Sequence, residues 1–268
     1  MPTLSKKPGV VGLPAGIKDL VRADFRNEMW IQAIEAKGYR CAWTQTAQCP
    51  CASVSDQTDQ ADPNCTVCSG SGWLFFRPAG AVANPKVIGK LTAVQQKIVD
   101  NQGAVVHAVM TALGTTKHPW ETTGPRLEGM AMATFRAENK IGYYDRITCL
   151  DARIVYSQLL TATGPGTLQT TRYPVVEMNL LRSKETVYSE GADYDLVAGD
   201  IQWRANRGPA EGTPIVSHYL CYPTYRVIEH PHSVRVTLTK FKEKTLTTPQ
   251  GSPIDLPVQA MLKYEFLL

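Results

Sequence analysis

The spacing of four cysteines constrains this chain more than any other feature. Cys49 and Cys51 form a CxC pair, and thirteen residues later Cys65 and Cys68 form a CxxC pair that is followed by Ser-Gly-Ser-Gly-Trp. A tight turn places both thiolates of such a pair on the same side, and two pairs supply the tetrahedral four-sulfur site that structural zinc prefers. We therefore predict a structural zinc ion bound by Cys49, Cys51, Cys65 and Cys68.

Two alternatives to this ligand set stay open. The chain has seven cysteines, an odd number, and Cys41 is a substitute ligand if Cys49 or Cys51 does not reach the metal. The other alternative is that the chain binds no metal here, and that the thiols are incidental or that two of them form a disulfide. Crowded thiols in a reducing compartment, however, are typical of metal binding. Four thiolates leave no coordination position for water, so the predicted site is structural and not hydrolytic.

The charge around the cysteines argues against nucleic-acid binding by this segment. Residues 41–76 contain no Lys or Arg, whereas Asp56, Asp59 and Asp62 lie among them. Zinc with four thiolates adds about two negative charges, so phosphate groups should be repelled. The whole chain has 28 Lys and Arg against 24 Asp and Glu. This balance excludes a strongly polyanion-seeking protein and an acidic disordered chain.

The composition divides the chain into four segments. Residues 1–16, which three prolines interrupt, predict an extended N-terminal arm. Residues 17–38 predict an amphipathic helix because apolar residues recur at three- and four-residue spacing, and Gly38 is typical of a helix C-cap. Residues 39–77 form the Cys-rich zinc-type module, and residues 78–268 form a β-rich body.

The predicted fold class is mainly β (α+β), with an antiparallel β-sandwich or barrel as the body. Twenty Gly and 18 Pro interrupt the chain with turns, and short apolar runs between turns are typical of strands. Apolar and polar residues alternate over 234–239 and over 262–268, which is the period of a strand. Residues 104–113 fit either a strand or a buried helix. No βαβ alternation supports a parallel sheet.

The sequence carries no enzyme signature. We find no GxSxG, HExxH, P-loop or GxGxxG motif in a suitable setting. His230 and His232 have the spacing to share a metal on one strand face, but a turn before a strand is the simpler interpretation. Asp193 and Asp195 are a candidate carboxylate pair, but they lie beside Gly191, where a hairpin turn is expected, so a role in the turn is the simpler interpretation. We therefore expect a protein that is not an enzyme.

The N-terminal sequence has basic residues but lacks the apolar run of a secretory signal. No stretch reaches the roughly 18 apolar residues of a membrane helix. We therefore expect a protein that is made in the cytoplasm and has no membrane partner.

Several stretches resemble neck proteins of tailed bacteriophages. They are GADYDL at 191–196, IQW at 201–203, GTP at 212–214, HY at 218–219, PTYRV at 223–227 and EHPHSVR at 229–235. The CPC pair and DPNCTVCSGSGW at 62–73 also look like the zinc-type loop of such proteins, so the resemblance covers about residues 41–76 and 140–240. The CxxCxGxG unit is also similar to one repeat of the DnaJ-type zinc domain, but that family carries four such units and a J domain.

The resemblance implies a structural virion protein that is made in the host cytoplasm and forms part of the neck as a head-tail connector, adaptor or collar. It implies a ring-type homo-oligomer that contacts portal and tail or neck proteins and touches packaged DNA non-specifically. Three other functions stay open: another tail or baseplate component, a zinc-containing adaptor or binding module, and a β-sandwich hydrolase. A basic patch beside the cysteines would favour the binding module. A concave pocket that holds His218, His230 or His232 with a carboxylate would favour the hydrolase.

Overall fold

The computed structural model describes residues 27–53, 61–83, 88–101, 103–112, 129–184, 186–230, 236–237, 239–241, 244–246, 254–255 and 257–268. Its helices are α1 (Asn27–Lys37), α2 (Pro50–Ser53) and α3 (Ala93–Asp100), with a 3-10 turn at Glu265–Leu267. Its strands are β1 (Tyr39–Gln48), β2 (Trp73–Phe76), β3 (Ala104–Ala112), β4 (Met130–Phe135), β5 (Arg146–Cys149), β6 (Ile154–Thr161), β7 (Leu168–Gln169), β8 (Glu177–Arg182), β9 (Val187–Tyr188), β10 (Tyr194–Val197), β11 (Asp200–Trp203), β12 (Pro214–Cys221), β13 (Thr224–Glu229), β14 (Val236–Thr237), β15 (Thr239–Phe241), β16 (Lys244–Leu246), β17 (Ile254–Asp255) and β18 (Val258–Tyr264).

Six antiparallel strands close into a barrel. Their order around the barrel is β1, β3, β4, β18, β13 and β5, and β5 pairs again with β1. β1 makes this closure by pairing residues 39–43 with β3 and residues 41–44 with β5. Because every barrel strand has a neighbour on both sides, the barrel has no free sheet edge.

Alternate residues of the barrel strands fill its interior. Trp43 of β1 and Phe135 of β4 are the largest fully buried side chains there, at 1% and 0% exposed. Small residues from neighbouring strands share this interior and make space for the two rings, namely Ala108, Ala131, Ala133 and Ala260. Large and small side chains thus interdigitate around the barrel axis.

A second β unit is inserted between β5 and β13. β6, β12, β8 and β9 form a four-stranded sheet, and β10, β11 and β7 form a three-stranded sheet. Trp203 of the smaller sheet shares a buried cluster with Leu181 and Ile215 of the larger one, so the two sheets pack face to face. The chain leaves and re-enters the barrel at adjacent points, where the Cys149 N–H donates to the Pro223 carbonyl at 3.0 Å.

The predicted mainly β fold with an antiparallel body is confirmed. The sequence left a sandwich or a barrel open, and the structure contains a closed barrel with two packed sheets inserted into it. β1 begins at Tyr39, inside the 39–77 segment, and is a barrel strand. The Cys-rich module therefore shares strand β1 with the barrel and extends from its end.

The predicted N-terminal helix is described from Asn27 to Lys37, and residues 1–26 lie outside the described residues. α1 packs against β3 and buries Ile34 completely. The helix ends before Gly38 as expected, but Gly38 does not adopt the left-handed conformation of the predicted cap. Its amide donates to the Ile34 carbonyl at 2.8 Å, and a Cβ at position 38 would overlap that oxygen. Close approach of the backbone, and not a positive φ, therefore requires glycine here.

The strand predictions meet three different outcomes. The ambiguous segment 104–113 contains strand β3. The strand predicted at 262–268 has the wrong end, because β18 stops at Tyr264 and the chain enters the 3-10 turn. This turn places Glu265 beside two arginines and Phe266 against Tyr156. At 234–239 the structure describes β14, which pairs with β17, and the first residue of β15, while residues 234, 235 and 238 lie outside its described part.

Candidate metal centre and the adjoining cavity

The four cysteines meet at the end of a hairpin made by β1 and β2. β1 ends directly before Cys49, and β2 begins at Trp73, shortly after Cys68. The two strands are antiparallel, with Gln48 opposite Trp73. This pairing brings the CxC and CxxC pairs together although thirteen residues separate them. We call β1, β2 and their connection at residues 49–72 the cysteine hairpin.

The sulfur atoms have the spacing of a tetrahedral metal site. All four Sγ atoms lie within 4.8 Å of one another, with 3.8 Å between Cys49 and Cys65 and 3.5 Å between Cys51 and Cys68. A tetrahedron with zinc–sulfur bonds of about 2.3 Å has sulfur–sulfur edges of about 3.8 Å. A disulfide needs about 2.05 Å, and all four residues are free thiols. The cluster could therefore hold a metal ion.

The backbone around the CxxC pair is shaped to hold these sulfurs. The Gly72 amide donates to Cys68 Sγ at 3.3 Å, and the Gly72 carbonyl accepts from the Cys49 N–H at 2.8 Å. Gly72 has φ +74° and Gly70 has φ +78°. A Cβ on Gly70 would lie 3.0 Å from the Pro63 carbonyl oxygen. The glycines thus let the chain turn tightly and bring an amide to a ligand sulfur, as second-layer contacts of metal sites do.

The surroundings of Cys51 and Cys68 shift the pKa values of the two thiols in opposite directions. Burial and hydrogen bonding to Cys68 raise the pKa of the Cys51 thiol to about 12. Burial also opposes ionisation of Cys68, but the Gly72 amide and the neighbouring thiols outweigh it and lower the pKa of that thiol to about 7. Thiolates are the ligand form, and a bound cation deprotonates coordinating thiols outright. Metal binding here should therefore release protons.

The remaining cysteines lie away from this cluster. Cys41 is fully buried inside the barrel, opposite Cys149 in the β1–β5 register, and its Sγ lies 3.9 Å from Met110 Sδ. Cys221 is buried in the core of the inserted unit. The described cluster consists of the four predicted ligands without Cys41.

Asp145 ties the base of the cysteine hairpin to the barrel. Its carboxylate accepts from the Trp43 indole N–H at 2.7 Å, from the Thr46 amide at 2.9 Å and from the Gly142 amide at 2.7 Å. Burial raises the pKa of the Asp145 carboxyl group, while these three donors lower it. The sequence analysis missed this residue because its indole partner lies 102 positions away in the chain.

A cavity of about 630 Å³ adjoins the cysteine hairpin. Trp73 and Phe75 of β2 line one side, and the barrel strands β5 and β13 contribute Arg146 and Arg226. Both guanidinium groups lie over the Phe75 ring, at 4.0 and 4.6 Å from its centroid. Both also pair with Glu265, at 2.6 and 2.7 Å. No spacing in the sequence indicates this cavity, because its charged residues come from distant strands.

Of the three candidate histidines, the structure describes His218 and His230. His218 Nδ1 lies 2.6 Å from the Ser157 hydroxyl on the four-stranded sheet. His230 Nδ1 lies 3.3 Å from the Gln259 carbonyl oxygen, and its ring packs edge-on against Tyr143. His232 lies outside the described residues. Neither described histidine lines the cavity, so the feature that would favour a hydrolase is not found there.

The turn interpretation of Asp193 and Asp195 agrees with the structure. Asp193 accepts from the Ser189 amide at 2.9 Å, and Asp195 pairs with Arg204 at 2.9 Å on the surface. These contacts stabilise a turn and a strand end.

No known protein-family model matches this sequence, and a search of the curated proteins finds no match. In the part of the chain that the structure describes, every helix is too short or too polar to cross a membrane.

Proposed function

We propose that this protein is a structural component of a tailed-bacteriophage virion, located in the neck as a head-tail connector or collar. Its resemblance to neck proteins over residues 41–76 and 140–240 supports this role. The observation that carries the proposal is an exposed apolar sheet face on the inserted β unit, which suits a contact between subunits.

This apolar face lies on the outer side of the four-stranded sheet. Leu159 of β6 lies opposite Val216 of β12, with Leu180 of β8 and Val187 of β9 beyond them. The exposed fractions are 71% for Leu159, 59% for Val187, 52% for Val155, 42% for Val216 and 36% for Leu180. We call these five residues the apolar face.

The other side of the same sheet is already the core of the unit. Strand alternation directs Leu181 and Ile215 inward, where they are 1% and 0% exposed. The outward side of a half-buried antiparallel sheet normally carries polar residues. Here five large aliphatic residues share that side with Arg182, which lies opposite both Val216 and Val187, and with the Ser157–His218 pair. Exposed apolar patches bordered by polar residues mark interaction surfaces. We assign the apolar face to the contact between copies of this chain.

We propose zinc as the metal of the cysteine cluster. Four thiolates suit its tetrahedral preference and leave no position for a reactive water, so the ion stabilises structure. The tip of the cysteine hairpin has few apolar residues to bury, and metal binding would supply its folding free energy. A folded tip holds Trp73 and Phe75 in place beside the barrel.

The proposed role is structural and not catalytic. Its proposed partners are further copies of this chain in a ring, the portal, and tail or neck proteins. The net charge of +4 is modest, which suits a ring that contacts packaged DNA without gripping it. The proposed location is the virion, after synthesis in the host cytoplasm.

Native mass spectrometry of the full chain tests this proposal. We expect one zinc ion per chain, released by a chelator, and a ring-sized oligomer. Val155→Asp places a charge in the apolar face and should shift the protein to monomers. Val197→Asp is the matched control, because Val197 is also 52% exposed but lies in β10 of the other sheet.

Two outcomes would contradict the proposal. A wild-type protein that stays monomeric alone and with a portal protein would remove the ring assembly. An oligomer that survives Val155→Asp unchanged would show that the apolar face is not the contact. A metal-free, fully folded chain would reject the zinc assignment separately.

A second candidate is a zinc-containing adaptor or binding module. The arginines beside the cysteine hairpin favour it, since Arg146 and Arg226 both lie against Phe75 of β2. The binding-module role would be supported over the neck role if the zinc-loaded wild-type protein is a monomer and binds a separate partner through the surface at Arg146 and Arg226.

A further inference from the structure

The cavity beside the cysteine hairpin holds more positive charge than its carboxylates neutralise. Its described cationic lining residues are Lys97, Arg146, Arg172 and Arg226, and Glu265 is the acidic side chain described with them. Asp200 lies outside the lining and pairs with Lys97. Among the described residues, four cations thus face two carboxylates, which leaves two positive charges without a carboxylate partner there.

Arg172 is one source of this excess. Among the described residues it forms no ion pair, and its guanidinium group lies 5.5 Å from the Tyr173 ring centroid. Arg146 and Arg226 are the other source, because the two share the single carboxylate of Glu265. Arg226 is only 8% exposed. A buried charge without a full counter-charge is unfavourable, and an anion in the cavity would relieve it.

Aromatic rings line the same space. Trp73 stacks on Tyr144 with ring centroids 4.4 Å apart and a tilt of 33°, and Tyr222 also lines the cavity. The Tyr173 hydroxyl is buried and has no hydrogen-bond partner among the described residues. Aromatic faces beside arginines are the combination that proteins use to bind planar anionic groups.

The dimensions favour a small ligand over a polymer. About 630 Å³ lies within the range of small-molecule sites. The cations come from α3, β5, β13 and the loop before β8, whereas the cysteine hairpin contributes none. A long polyanion would run past the hairpin, where a metal–thiolate centre adds negative charge.

We propose that this cavity binds a phosphorylated planar-ring compound of about mononucleotide size. A phosphate monoester carries a charge of about −1.5 to −2 at neutral pH, which matches the two unneutralised cations. Guanidinium groups match phosphate oxygens in bidentate geometry. The ring of the ligand packs against Trp73 and Tyr144. This site does not depend on the neck role.

Calorimetric titration of the zinc-loaded full chain with AMP tests the site. Adenosine and inorganic phosphate, titrated separately, measure the phosphate and the ring contributions. Arg172→Gln is the informative variant because no ion pair described for the chain is broken by it. Arg204→Gln is the matched control, since Arg204 pairs with Asp195 on the surface and does not line the cavity.

AMP should bind, and adenosine and inorganic phosphate should each bind at least about tenfold more weakly, which is about 1.4 kcal/mol. Arg172→Gln should weaken AMP binding by a similar factor, Arg172→Lys by less, and Arg204→Gln should leave it unchanged. No binding of AMP at millimolar concentration overturns the proposal. So does equal affinity in wild type and Arg172→Gln, or binding of an acidic peptide in place of AMP.

Discussion

Replacing Asp145 by alanine should lower the free energy of unfolding by about 3–5 kcal/mol. The Asp145 carboxylate accepts three hydrogen bonds of 2.7–2.9 Å. Trp43 is 1% exposed, so water cannot reach its indole N–H, and leaving that donor unpaired costs about 1–3 kcal/mol. The amides of Thr46 and Gly142 belong to half-buried residues, where water replaces part of the lost bond, and each contributes about 1 kcal/mol.

Urea unfolding of the zinc-loaded protein measures this loss. Asp195→Ala is the control, because its pair with Arg204 is 47% and 46% exposed and such solvent-screened pairs contribute little to stability. Trp43→Phe removes the indole donor, and the double-mutant cycle with Asp145→Ala should give a coupling of about 1–2 kcal/mol. Two results would refute the reasoning. One is that Asp145→Ala lowers the free energy of unfolding no more than Asp195→Ala does, and the other is that the double-mutant cycle shows no coupling between Asp145 and Trp43.

Three further outcomes are expected. Neither ring nitrogen of buried His107 has a hydrogen-bond partner among the described residues, and burial lowers its pKa. The contribution of His107 to the free energy of unfolding should therefore be full above about pH 6.5. It should fall by up to about 1.4 kcal/mol per pH unit as the pH drops towards the lowered pKa of the folded state. In urea unfolding measured across the acid range, His107→Leu should remove this slope, and an unchanged slope would contradict the assignment. Gly38→Ala would overlap the Ile34 carbonyl oxygen, so a thermal melt should show a loss of about 1–3 kcal/mol, and a melt equal to wild type would contradict it. Chelation should expose the amides of residues 61–72 to hydrogen exchange while those of β4 stay protected, since the barrel core contains none of the cluster cysteines; lost β4 protection would show that the metal also holds the barrel.

Sequence spacing was sufficient to select the four cysteines of the cluster. Cys49 and Cys51 directly follow β1, and Cys65 and Cys68 shortly precede β2. A cluster at the end of one hairpin depends on local turns and one connecting segment, so its cysteines appear as a pattern along the chain. The glycines after Cys68 were informative for the same reason, because they act within a few residues of that sulfur.

The mainly β class was also predictable from local features, since strand alternation and frequent Gly and Pro are properties of short windows. The end of β18 was not predictable from local features. Alternation continues past Tyr264, but the chain turns so that Glu265 meets Arg146 and Arg226. A paired charge in the interior outweighs a local preference for strand, and its partners lie up to 119 positions away.

By itself the sequence determined which residues gather in the four-cysteine cluster and that strands dominate the fold. Only the tertiary structure decided that β1 closes a barrel by pairing with both β3 and β5, that Asp145 holds Trp43, and that arginines from separate strands share one cavity. It also decided that the apolar face points outward, because alternation shows that a strand has two sides but not which of them is covered. These features depend on long-range packing, in which residues meet through the closure of sheets and not through their spacing along the chain.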